Sequence, residues 1–153
     1  MVISAGMDLG SHIIHIAIVN GNEDILGVNH LSTEKEHSPT DLADLADRLV
    51  QFLSNYHIDR IVIEKPLVFA GQGFPALKMI ELFAIVKIVA FRLNTEFIEV
   101  VPSSWRRDVI GSGRAKKADA LKKVKVMGWK TKDHNEAESI CIAMYKIKHS
   151  VQT

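Results

Sequence analysis

The sequence contains one cysteine, Cys141, so neither an intrachain disulfide nor a Cys-based zinc cluster can form. Its neighbours, Ile140, Ile142 and Ala143, predict a buried small hydrophobe and not a nucleophile. Long hydrophobic runs are also missing. The most apolar stretch, residues 77–93, is broken by Lys78, Glu81, Lys87 and Arg92, whereas a membrane span needs about 18 or more apolar residues. The N-terminus lacks the basic, apolar and small-residue succession of a signal peptide, which predicts a cytoplasmic protein without a membrane partner. No repeat, low-complexity tract or linker interrupts the chain. Its 153 residues, 47% hydrophobic, predict one domain spanning 1–153 with a proper core.

The net charge of +1 carries no information, but its distribution does. Residues 1–77 hold 4 Lys/Arg against 10 Asp/Glu, and residues 78–153 hold 15 against 8. The basic excess concentrates in residues 102–132, with 10 cations and 2 acids. A block of this kind suits a polyanion, because phosphate neutralisation with counterion release drives nucleic-acid affinity. A solvated surface helix is the plainer alternative for the same run.

Residues 2–9 and 12–19 are β-rich and are joined by Gly10-Ser11, which reads as a hairpin, and residues 25–31 follow a second turn at Asn20-Gly21-Asn22. Ser38-Pro39-Thr40-Asp41 is a helix start, and apolar residues then follow at helical spacing to Tyr56. A strand over 58–64, a Gly- and Phe-rich loop, a helix from Ala76 to Leu93 and a strand over 97–101 come next. Helices are predicted over 104–110, 115–127 and 134–149. This order describes a mixed α/β sheet. The helix from Ala76 to Leu93 is apolar around most of its circumference, so it is either central to the core or buried against another subunit.

Three acids stand where chemistry can happen. Asp8 lies near the end of the first strand between glycines, Glu64 closes the fourth, and Glu138 lies near the start of the last helix. An acid beside a core strand needs a positive partner, either Lys or Arg or a divalent cation. Asn135 and His134 lie three and four residues before Glu138 and share its face. Asp133 and Glu136 have the spacing of a capping box and are assigned to helix initiation. Carboxylates on separate elements, gathered where strand ends meet a helix start, suit Mg²⁺. Two such ions about 3.5–4 Å apart can clamp a phosphodiester.

The stretches Gly6-Met7-Asp8-Leu9-Gly10-Ser11, Ile63-Glu64, the basic segment from Trp105 to Lys117, and Glu136-Ala137-Glu138-Ser139-Ile140-Cys141-Ile142-Ala143 resemble, in order and spacing, the RuvC family of Holliday-junction resolvases, particularly its short phage-type members. The resemblance covers nearly the whole chain. It implies a ribonuclease H-like fold, with a five-stranded mixed sheet whose first three strands are antiparallel. It further implies a homodimeric, Mg²⁺-dependent endonuclease (Mn²⁺ substituting), with two ions per site, acting on branched DNA. By the same resemblance Asp8, Glu64 and Glu138 are catalytic metal ligands, and Asn135 stands where the family has an acid or histidine. His134 is the alternative fourth donor. The last acid is usually Asp in the family, so Glu138 carries the same charge on a longer arm. Arg106 and Lys117 match the residues at the scissile phosphate, with Arg114 and Lys116 beside them. Leu67, Phe69 and Phe74 are candidates for an apolar wedge at the junction centre. Trp105 and Trp129 are expected to pack and not to stack on bases. If the protein is phage-encoded, its compartment is the host cytoplasm.

Two other classes stay open at this point. The Asp8-Leu9-Gly10-Ser11 opening also suits a nucleotide-binding domain of the actin and sugar-kinase group, although such proteins need two related domains. The Asn135 and Glu138 departures also suit a catalytically silent DNA-binding relative. Forks, flaps and RNA–DNA hybrids are alternative substrates.

Overall fold

Strand alternation divides the sheet into two apolar faces. In the computed structural model, which describes residues 1–67 and 73–149 without side-chain detail for Phe74 and His149, five strands are found: β1 (Ile3–Leu9), β2 (Ile13–Asn20), β3 (Ile25–Ser32), β4 (Arg60–Glu64) and β5 (Glu96–Val100). The helices are α1 (Pro39–Ser54), α2 (Phe74–Arg92), α3 (Pro102–Trp105), α4 (Lys117–Val126) and α5 (His134–Ala143). A π-turn over Arg106–Ile110 follows α3, and a 3₁₀ turn over Ile147–His149 follows α5.

The strand order is β3-β2-β1-β4-β5. The first three strands are antiparallel to one another, and β4 and β5 run parallel to their neighbours. This is the ribonuclease H-like arrangement expected. Successive side chains on a strand point to opposite faces. Ala5, Met7 and Leu9 of β1, with Ile14, Ile16 and Ile18 of β2, therefore pack against Leu45, Leu49 and Leu53 of α1 and Leu82, Val86 and Val89 of α2. The opposite face offers Ala17, Val19, Val62 and Val100 to Trp105, to Ala120 and Val124 of α4, and to Ala137, Ile140 and Cys141 of α5.

The start of α1 is as expected. Asp41 N–H donates to the Ser38 hydroxyl, the Asp41 carboxylate accepts from Ser38 N–H, and Pro39 opens the helix. The last helix is shorter than expected, ending at Ala143 and not at residue 149. Two residues cause this. Lys146 adopts a positive φ of 50°. The buried Arg60 guanidinium donates to the Ala143 and Tyr145 carbonyls, and its Nε donates to Ser4 Oγ at 2.9 Å. Carbonyls freed at a helix end need such donors.

Helix α2 buries Leu82, Val86, Val89 and Ala90. Its outer side carries Leu77, Ile80, Ala84, Ile88 and Phe91, all exposed, Phe91 at 86%. Their spacing of three and four residues aligns them in one stripe. No described helix is long and apolar enough to cross a membrane.

Candidate functional site

The site forms at the end of the sheet where β1 and β4 finish together. Met7 pairs with Ile63 across these parallel strands, so Asp8 and Glu64 follow side by side. Both point to the face covered by α5. Helix α5 reaches that face closely because residue 6 has no side chain. A methyl group built on Gly6 would lie 2.7 Å from the Ala143 Cα, and nearer still to the Ser139 carbonyl oxygen and the Ala143 amide. Asp133 starts α5 by accepting from the Asn135 and Glu136 amides. It also faces His15 of β2, Asp133 Oδ2 lying 3.6 Å from Nε2.

The three predicted acids share one field. The Asp8 carboxyl is pushed up to about 8, first by burial, then by Glu138 and Glu64, with Lys117 pulling the other way. Glu138 is also raised, by burial and then by Glu64, against Arg106, Lys117 and His134. Only 8% of Asp8 and 4% of Glu138 are exposed. Burying like charges together opposes ionisation, and such perturbed acids mark functional sites.

Two of the acids are already engaged by side chains. Trp105 is fully buried, and its indole N–H donates to Glu64 Oε2 at 2.6 Å. Arg106 lies with its guanidinium carbon 4.8 Å from the Trp105 ring centroid, and its Nη2 stands 3.6 Å from Glu138 Oε1. That separation is too long for a hydrogen bond, and Glu138 Oε1 and Arg106 Nε are both buried without one. Among the described residues, no three His, Cys, Asp or Glu side chains are grouped tightly enough, as they stand, to hold an ion. The donor chemistry nevertheless fits a hard divalent cation. Two buried, mutually repelling carboxylates, one with an orphaned oxygen, lack the charge that would let them ionise together.

Of the other predicted residues, Lys117 opens α4 and acts electrostatically on both Asp8 and Glu138. His134 acts on Glu138. Asn135 is exposed on the first turn of α5, its amide bonded to Asp133. Arg114 and Lys116 are exposed on the approach to α4, and neither makes an ion pair with the three acids among the described residues. Leu67 is about half exposed just beyond β4. Phe69 lies outside the described residues, and Phe74 is described only as the first residue of α2.

One role differs from expectation. Glu136 does not complete a capping box, because Asp133 N–H donates to Thr131 Oγ1. The Glu136 carboxylate accepts the Trp129 indole N–H at 3.2 Å instead. Trp105 packs as expected, but its hydrogen bond to Glu64 was not read from the sequence. The available signal was a buried indole beside Arg106, since a buried indole N–H needs an acceptor.

Comparison with known proteins fits this geometry. Thermus thermophilus RuvC superposes with a TM-score of 0.82 at 18% identity, covering 97% of this chain and 95% of that one. T. thermophilus RuvC in complex with Holliday junction substrate gives 0.85 at 17% identity, covering 98% and 97%. The yeast mitochondrial Holliday junction resolvase gives 0.66 at 14% identity, covering 94% and 77%. No curated protein sequence matches. Residues 4–146 match the family described as crossover junction endodeoxyribonuclease RuvC, which decides between the nuclease and nucleotide-binding readings of the Asp8 opening. The chain belongs to the RuvC family of crossover junction endodeoxyribonucleases.

Proposed function

We propose that this protein is a single-domain, homodimeric endonuclease that resolves four-way DNA junctions by divalent-metal-dependent phosphodiester hydrolysis. The carrying observation is the mutual field of Asp8, Glu64 and Glu138 at the shared end of β1 and β4, faced by Lys117 and Arg106. Asp8, Glu64 and Glu138 would hold Mg²⁺ or Mn²⁺, two ions per site, with Asn135 or His134 as a further donor. The ions would supply an activated water and neutralise charge on the phosphate.

The chain's own side chains do the rest. Asp8 would be one of the metal ligands, and it must give up its proton to serve as one. Lys117 and Arg106 bind the scissile phosphate, Lys117 from an exposed position and Arg106 from a largely buried one, where a charged donor is worth more than in bulk water. Trp105 fixes the direction of Glu64. The products are a 5′-phosphate and a 3′-hydroxyl. Arg114 and Lys116 contact the backbone nearby. One of Leu67, Phe69 and Phe74 would place an apolar side chain at the branch point.

A four-way junction needs two cuts, and the exposed stripe Leu77, Ile80, Ala84, Ile88 and Phe91 on α2 supports a pairing surface for a second copy. The enzyme would work in the cytoplasm, or in the host's if phage-encoded.

The test is cleavage of labelled junctions, forks, flaps and RNA–DNA hybrids with Mg²⁺, Mn²⁺ or EDTA. Paired nicks in junctions, lost in EDTA, are expected. Asp8→Asn and Glu64→Gln should abolish nicking and leave junction binding largely intact. Normal nicking by either variant refutes the site. Junction binding without metal-dependent nicking by the unaltered protein favours the silent relative.

A further inference from the structure

Beyond the three acids, a lysine-lined surface lies between α4 and the segment leading to α5. An open groove of about 600 Å³ is lined by Lys122, Lys125, Lys130 and Lys132, with Leu121, Trp129 and Thr131. No carboxylate lines it. Among the described residues, none of these four lysines makes an ion pair or side-chain hydrogen bond. Nearby acids are committed elsewhere. Glu136 accepts from the Trp129 indole, Asp119 accepts from the Lys116 amide, and Asp133 caps α5. Four exposed lysines on one groove with no carboxylate in its lining make a surface of positive potential, which suits a polyanion.

We infer that this groove binds the phosphate backbone of a duplex DNA arm flanking the cut site. The inference rests on the junction-nuclease reading and extends it to a second contact surface. Continuity with the site sets the distance. Lys117, which faces Asp8 and Glu138, opens the same helix that carries Lys122 and Lys125. Eight residues at about 1.5 Å rise put Lys125 about 12 Å further along. For an arm laid along α4, about 3.4 Å per base pair makes that three to four base pairs from the scissile phosphate. Lys132 immediately precedes the α5 cap, so the groove returns to the site along its other wall. Cations line the groove, and Trp129 is half-buried with its N–H already bonded to Glu136. Such a lining contacts backbone and carries no base readout.

The experiment measures junction affinity in EDTA against salt for the full chain, for K125A/K130A and for K122A/K132A, with K35A as a charge control elsewhere. Each lost phosphate contact lowers the slope of log K against log salt by about 0.9, so each pair variant should lose about 1.8. That corresponds to binding up to about 60-fold weaker at 0.1 M salt, converging with the unaltered protein near 1 M. Neutral methylphosphonate linkages, placed three to four positions from the mapped nick, should weaken binding of the unaltered protein and add nothing to the pair variants. Normal binding and nicking by the unaltered protein, with slopes unchanged in both pair variants, overturns the groove alone. Failure of the unaltered protein to bind or nick junctions overturns the parent reading. A K35A effect equal to that of the pairs would mean general charge and no groove.

Discussion

Replacing Trp105 by Phe isolates one hydrogen bond at the centre of the site. The indole N–H donates to Glu64 Oε2 at 2.6 Å from a fully buried ring. A bond from a neutral donor to a charged acceptor contributes about 1.5–3 kcal/mol. If that orientation is held through the transition state, its loss slows nicking by roughly 10- to 150-fold, at about 1.4 kcal/mol per tenfold. Phe keeps an aromatic face for Arg106, whose guanidinium lies 4.8 Å from the ring centroid. Junction affinity should therefore change little, whereas kcat falls and the Mg²⁺ concentration for half-maximal rate rises. Trp105→Leu removes the ring face as well and should also weaken the hold of Arg106 on phosphate. Single-turnover nicking across a Mg²⁺ series, with thermal unfolding alongside, separates orientation from packing. Lower stability in Trp105→Phe with unchanged kcat and metal midpoint would refute the reasoning and reduce Trp105 to a packing residue.

Asp8 sets a pH dependence. Its folded pKa of about 8 lies above its unfolded value of about 3.8. Its contribution to metal-free stability is thus complete below about 3.8 and disappears as pH rises through about 8, by up to roughly 1.4 kcal/mol per unit. Thermal unfolding in EDTA should show Asp8→Asn overtaking the unaltered protein as pH rises from 5 to 8; a constant difference contradicts this. Gly6→Ala should cost about 1–3 kcal/mol by overpacking, or roughly 2–12 °C in Tm, and should reduce nicking by moving Glu138. An unaltered Tm and rate would contradict it. Phe91→Glu should leave monomer folding intact and give a monomer in sedimentation, with paired nicks becoming single ones. A protein already monomeric at micromolar concentration rules out the α2 interface.

What could be read from the sequence was what local chemistry determines. Ser38, Pro39 and Asp41 announce the start of α1 within four residues, and the Asn20-Gly21-Asn22 turn lies where β2 gives way to β3. Asp8 and Glu64 were legible as acids at the ends of apolar runs, and their adjacency follows from strand register. The features missed were set by residues distant in the chain. Helix α5 ends where Arg60, more than 80 positions earlier, takes its carbonyls. Glu64 finds its donor 41 positions away in Trp105. Glu136 follows the capping-box spacing, yet Trp129 claims its carboxylate and Thr131 the amide it was expected to satisfy. Periodicity cannot rank such competing partners.

The contact at Gly6 bears on repair as well as damage. The atoms that an added methyl would meet are all main-chain atoms of α5: the Ser139 oxygen, and the nitrogen and Cα of Ala143. Shrinking a neighbouring side chain therefore opens no room, since nothing removable stands in the way. Second-site suppressors of a residue 6 lesion should be absent at 139 and 143. Where suppressors arise, they should lie at the helix ends, near Asp133 or Arg60, where the whole helix can be repositioned.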